Sequence, residues 1–177
     1  MATTTVERKA FVAGEWVETG DWIDVRSPYS GELVARVAKA GAVETKSAID
    51  AAEQALGEPL PAHNRAEILV RVVAGLARRH DEVARQISDE AGKPMKAARV
   101  EAKRAMSTYT FAAVEARKLA GEMVPMDAAQ AGERKLGFTF RRPIGIVGAI
   151  SPFNFPLNLV AHKLAPEIGR ASCRERV

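Results

Sequence analysis

Residues 144–150 read IGIVGAI, an almost unbroken apolar run. Pro143 closes it on one side and the loop SPFNFP (151–156) on the other. A short run without polar alternation is the pattern of a strand covered on both faces, as in a parallel sheet. Residues 157–166, LNLVAHKLAP, then open a helix. Strand, tight loop and helix make half of a βαβ unit, and parallel sheets hold ligands beyond the C-terminal ends of their strands. The order predicts an α/β fold and singles out the 151–156 loop. Pro152 and Pro156 restrict that loop, and Asn154 stands between Phe153 and Phe155. A fixed side-chain amide can donate to a developing oxyanion. Asparagine in a turn more often satisfies only nearby backbone. Spacing alone leaves both roles open.

Upstream, residues 11–22 (FVAGEWVETGDW) predict a hairpin turning near Ala13–Gly14, and residues 32–37 alternate as a strand after a turn at Pro28 and Gly31. Helices are expected over 41–56, over 60–91 with a bend at His80–Asp81, and over 94–120. In the second, Ile68, Val72 and Leu76 recur at spacing four. Gly92 is a stop signal, and Pro94 suits the first turn of the next helix. Residues 121–126 and 136–142 predict two further strands. With Phe138 and Phe140 on one face, these should form an antiparallel arm with an exposed apolar strip.

Composition narrows the classes. A chain of 177 residues and 19.1 kDa has room for one domain, or for one and a fragment. Hydrophobic residues at 47% and charged residues at 27% are globular usage, which argues against wholesale disorder. No run approaches 18 uncharged apolar residues, and the first ten lack a signal-peptide core, so a cytoplasmic protein is expected. The net charge of +4 and pI near 9.4 raise a nucleic-acid reading. Half of that charge, however, lies in residues 168–177, IGRASCRERV, where three arginines face one glutamate. Elsewhere Lys96, Arg99, Lys103 and Arg104 are interleaved with Glu101, the pattern of a solvated helix face. Glu90 and Glu101 stand on separate helices with no argued convergence. His63, His80 and His162 lack metal-ligand spacing, so no metal site is expected. Segment 168–177 resembles the translation of a sequencing adapter. It is expected to be non-native and to make few tertiary contacts, which sets aside its Cys173 as a nucleophile.

The matches Pro143, Gly145, Ile150, Pro152, Phe153, Asn154, Phe155, Pro156, Lys163 and Pro166 resemble the aldehyde dehydrogenase superfamily. FVAGEW at 11–16, SPYSGE at 27–32, RAEIL at 65–69 and EAGKP at 90–94 extend the resemblance, which covers residues 11–166. Its shading is that of lactaldehyde, glyceraldehyde-3-phosphate or phosphonoacetaldehyde dehydrogenases. The resemblance implies the N-terminal part of a Rossmann-like cofactor domain with long helices, plus an antiparallel oligomerisation hairpin. Residues 1–120 would carry the N-terminal strands and helices, 121–142 the hairpin, 143–167 the first buried strand and its loop, and 168–177 the non-native tail.

It also implies NAD or NADP as cofactor, a small aldehyde as substrate, and a homo-oligomer in the full-length protein, with neither nucleic acid nor membrane as partner. Asn154 would be the oxyanion amide. Ile150, Ser151, Pro152 and Phe153 would pass the dinucleotide, Lys163 would orient the loop, and residues 106–115 would help line the substrate. Family members oxidise an aldehyde to a carboxylate through a cysteine thiohemiacetal and a thioester. The family's nucleophilic cysteine and general-base glutamate fall beyond residue 166, so this chain is expected to be an inactive truncated enzyme. A CoA-acylating or reductive semialdehyde dehydrogenase, and a non-catalytic helical assembly module, are the alternatives.

Overall fold

The computed structural model describes residues 6–58 and 60–170, except the side chain of Arg170. Five short strands come first: β1 (Val6–Arg8), β2 (Ala10–Val12), β3 (Glu15–Val17), β4 (Asp21–Arg26) and β5 (Leu33–Lys39). The β2–β3 hairpin turns through Ala13 (φ 52°) and Gly14 (φ 86°), the left-handed pair that a tight two-residue turn requires. Phe11 and Trp16 face each other across it with ring centroids 5.0 Å apart. Trp22, expected in the same hairpin, instead lies in β4 opposite Ala38 of β5. The three-stranded sheet has the order β1-β5-β4, and β1 runs parallel to β5.

Four helices follow in sequence: α1 (Ala42–Leu56), α2 (Ala62–Arg78), α3 (His80–Ala91) and α4 (Met95–Ala116). The Gly41 N–H at the start of α1 donates to Glu44 Oε2 at 2.7 Å, and that bond holds the Glu44 carboxyl below its usual pKa. The expected bend at His80 is a true break between α2 and α3, where His80 Nε2 lies 3.1 Å from the Arg99 carbonyl of α4. Gly92 ends α3 in the left-handed conformation (φ 65°), and a Cβ there would sit 2.8 Å from Pro28 Cγ. This close approach seats the β4–β5 turn on the helical layer. Helix α4 ends at Ala116, short of the expected 120.

The core lies among α2, α4 and α5 (Asn158–Arg170). Leu69, Tyr109 and the alanines Ala105, Ala113, Ala161 and Ala165 form it. Helix α4 also buries Ala98, Ala102 and Ala116, so most of its inward face is alanine. A smaller cluster of Ala84, Ile87 and Ala98 ties α3 to α4. Leu157 packs against both clusters.

The arm is present in shortened form. Strand β6 (Met123–Val124) pairs antiparallel with β7 (Gly137–Phe138), and Thr139 N–H donates to the Glu122 carbonyl at 2.9 Å. Phe138 and Phe140 are exposed, as the alternation implies. Two expectations need correction. Residues 144–150 form no strand among the described residues; Ile144 is 85% and Ile150 92% exposed. A parallel strand needs neighbours to take its backbone groups and cover its faces, and none of the described strands lies beside this run. The start of the supposed foreign tail also does pack. Helix α5 continues through Arg170, Ile168 lies against the α2–α4 core, and the Gly169 carbonyl accepts from Arg65 Nε at 3.3 Å. Cys173 lies outside the described residues.

Candidate active site

The 151–156 loop leaves residue 150 and turns directly into α5, with Leu159 N–H donating to the Phe155 carbonyl at 3.1 Å and Ala161 N–H to the Leu157 carbonyl at 2.9 Å. Proline suits this entry: its fixed φ fits a first helical turn, and its missing N–H is one that a helix start leaves unpaired anyway. Asn154 is exposed, and its side chain makes no hydrogen bond among the described residues. Its amide is therefore available rather than spent on turn backbone. Ile150 and Phe153 are each 92% exposed and Pro152 is exposed between them, with Ser151 half-buried.

Beneath this open loop lies a buried charge that sequence reasoning missed. Glu101 on α4 is 1% exposed. Its Oε1 accepts the backbone N–H groups of Leu157 (3.0 Å) and Asn158 (3.2 Å), and its Oε2 accepts from Lys93 Nζ at 2.5 Å. The Lys93 ammonium also lies 3.7 Å from the centroid of the Phe155 ring. Ser88 Oγ donates to the Lys93 carbonyl at 2.6 Å and fixes that residue's backbone. Lys163, expected to orient the loop, makes no hydrogen bond or ion pair with it among the described residues; Lys93 contacts the loop instead. Asn158 is 2% exposed and its Oδ1 has no partner among the described residues.

The remaining candidates are distributed elsewhere. His63 and His162 are exposed, and no three His, Cys, Asp or Glu side chains among the described residues gather as a metal site would require. Arg99 on the basic face of α4 pairs with Asp81 at 2.9 Å. A groove of about 380 Å³ between α4 and α5 is lined by Thr108, Phe111, Ala112, Glu115, His162 and Pro166. A wider cleft of about 950 Å³ lies between the three-stranded sheet and α3, and none of residues 150–154 lines it. No helix is long and apolar enough among the described residues to cross a membrane.

Helices layered beside small sheets, with a proline-bound loop leading into a helix, define a mixed α/β architecture of the Rossmann-like class. The comparisons sharpen this: the model of the aldehyde dehydrogenase family matches residues 16–171, and the chain belongs to that family. It is similar to the lactaldehyde dehydrogenase of Methanocaldococcus jannaschii, at 41% identity over 160 residues, which is 89% of this chain and 33% of that protein. Aldehyde dehydrogenase 21 from Physcomitrella patens, solved with its reaction product succinate, superposes with a TM-score of 0.91 at 36% identity, covering 97% of this chain and 36% of that one. The NADP-dependent glyceraldehyde-3-phosphate dehydrogenase from Bacillus halodurans, solved with NADP, superposes with a TM-score of 0.90 at 32% identity, covering 96% of this chain and 37% of that one. The chain thus spans about a third of the length of the relatives it matches.

Proposed function

We propose that this chain supplies the oxyanion-binding loop and one wall of the cofactor site of an NAD(P)-dependent aldehyde dehydrogenase, with Asn154 as the oxyanion donor. One observation carries the reading. Asn154 is held between two prolines at the entrance to α5 with its amide free, within the segment matched by the family model. Addition of a thiolate to an aldehyde turns the carbonyl oxygen into an anion. An amide N–H fixed beside that oxygen favours the tetrahedral species over the planar substrate.

The open surface of Ile150, Ser151, Pro152 and Phe153 fits a dinucleotide wall, because two large apolar side chains stand uncovered there. NAD(P) would accept the hydride. Ile150 and Phe153 would hold it and keep water from the reacting carbon. The α4–α5 groove takes Thr108, Phe111, Ala112 and Glu115 of its lining from the 106–115 stretch proposed to help line the substrate. A small hydroxy- or phospho-aldehyde is the proposed substrate class, in line with the lactaldehyde and glyceraldehyde-3-phosphate dehydrogenases to which the chain is similar. The nucleophile and the general base are proposed to lie in the part of the relatives that this chain does not span. The β6–β7 arm would join subunits of a cytoplasmic homo-oligomer.

The experiment has two arms. The 177-residue chain, assayed with NAD, NADP, lactaldehyde and glyceraldehyde-3-phosphate, should show no turnover. In a catalytically complete form carrying the same residues, Asn154→Ala should lower kcat by about 10²- to 10³-fold, the usual cost of one oxyanion donor. An unchanged kcat would remove Asn154 from the mechanism. Turnover by the 177-residue chain that is lost in Cys173→Ala would show that the nucleophile lies within this chain.

A further inference from the structure

We infer that Glu101 and Lys93 are positioning residues for the Asn154 loop; the inference deepens the oxyanion reading and rests on it. Asn154 has no hydrogen bond of its own among the described residues, so its place is set by what holds its neighbours. Two contacts do so. Phe155, the next residue, lies under the Lys93 ammonium at 3.7 Å. Leu157 and Asn158, three and four residues on, give their N–H groups to Glu101.

Those two N–H groups belong to the start of α5, where a helix leaves its first donors unpaired. A carboxylate there satisfies the donors and complements the positive end of the helix dipole. A through-space cap of this kind also fixes the angle at which the chain enters the helix, and that angle aims residue 154. The Leu157 side chain, wedged against both core clusters, keeps the entry from sliding along α4.

A purely stabilising ion pair would not need this arrangement. A buried pair is commonly replaced by apolar residues of similar size with no loss of stability. The distinction gives the test. Amide hydrogen exchange at Leu157, Asn158 and Leu69, and ¹⁵N relaxation of the Asn154 side-chain amide, are measured by NMR on the 177-residue chain. The variants are Glu101→Gln and the apolar double variant Lys93→Met with Glu101→Leu.

In the double variant, exchange at Leu157 and Asn158 should accelerate at least about tenfold, while the deeply buried Leu69 amide keeps its protection. The Asn154 amide should become measurably more mobile. Glu101→Gln keeps one oxygen facing both N–H groups and should fall between; it carries the measurement alone if the double variant does not fold. Unchanged exchange at Leu157 and Asn158, or equal loss at Leu69, would overturn the inference. The readouts need no turnover, so the two claims fail separately. If Asn154→Ala leaves kcat intact while Glu101 still governs the exchange, the oxyanion role alone is wrong.

Discussion

The helical layer and the stretch from residue 136 to 153 treat their apolar side chains in opposite ways. In the first, Leu69, Ala105, Ala161 and Ala165 are wholly buried by α2, α4 and α5. In the second, Leu136, Phe138, Phe140, Ile144, Ile150 and Phe153 are all more than half exposed. The difference lies in what each backbone needs. A helix pairs its own N–H and C=O groups and asks its neighbours only for an apolar surface. A strand needs a neighbouring backbone as well. The core among α2, α4 and α5 is therefore covered within this third of a family chain, whereas the 136–153 stretch presents faces with no cover among the described residues. Exposed apolar side chains gathered into a patch mark binding surfaces, for protein or for ligand.

The contrast is broken most strongly from the inside. Leu69→Ala should cost about 2–5 kcal/mol, since the side chain is fully buried and its neighbours are fixed helices. Thermal unfolding followed by circular dichroism measures it; a loss below about 1 kcal/mol would mean that α2, α4 and α5 do not enclose the core described. Gly92→Ala comes next, at about 1–2 kcal/mol. It forces a side chain into the left-handed region and pushes its Cβ toward Pro28. If the new methyl instead leaves the melting temperature unchanged, the β4–β5 turn is not seated on α3.

Phe138→Ser belongs to the open region and should change unfolding free energy by no more than about 0.5 kcal/mol, because the ring is 65% exposed. Sedimentation should show weaker self-association in this variant, and a large stability loss with no change in association would reverse the assignment. The smallest expected effect is electrostatic. A hydrogen bond from Arg99, its charge, and to a lesser degree His80 hold the exposed Asp81 carboxyl below its usual pKa. A depressed carboxylate contributes stability above its unfolded pKa, and that contribution fades as pH falls through the folded value. Asp81→Asn should therefore flatten the acid limb of stability against pH slightly, below about pH 4. A limb as steep as the parent's would show that the Asp81–Arg99 tie contributes nothing.

What the sequence made legible follows from range. Helix periodicity, the Gly92 stop and the Ala13–Gly14 turn depend on residues a few positions apart, and the structure places each where local chemistry puts it. Strand β1 was not legible, because VER at 6–8 carries no pattern and its partner Ala35–Val37 is about thirty residues away. The run 144–150 carries the apolar pattern of a strand yet forms none among the described residues, because the pattern is a demand for neighbours rather than a source of them. Within the candidate site, the proline-flanked Asn154 stands out in the sequence by its setting alone. Glu101 does not: among the lysines and arginines of α4 it reads as one more solvated charge, and only α5, arriving more than fifty residues later, buries it.

The alanine face of α4 implies an asymmetry in how this site can decay. Ala98, Ala102, Ala105, Ala113 and Ala116 leave little side-chain volume to remove, so shrinkage there is limited to glycine, at about 1 kcal/mol of helix propensity per position. Growth is another matter, because an added methylene has no void to occupy and must wedge the helices apart. A larger residue at Ala105, in the core that α4 shares with α5, would shift α5 bodily and carry its first N–H groups away from Glu101. The loop holding Asn154 would then fail through a substitution at a position that touches neither substrate nor cofactor. Such a seam holds its spacing only while its residues stay small, and it yields by loosening in one direction and by displacement in the other.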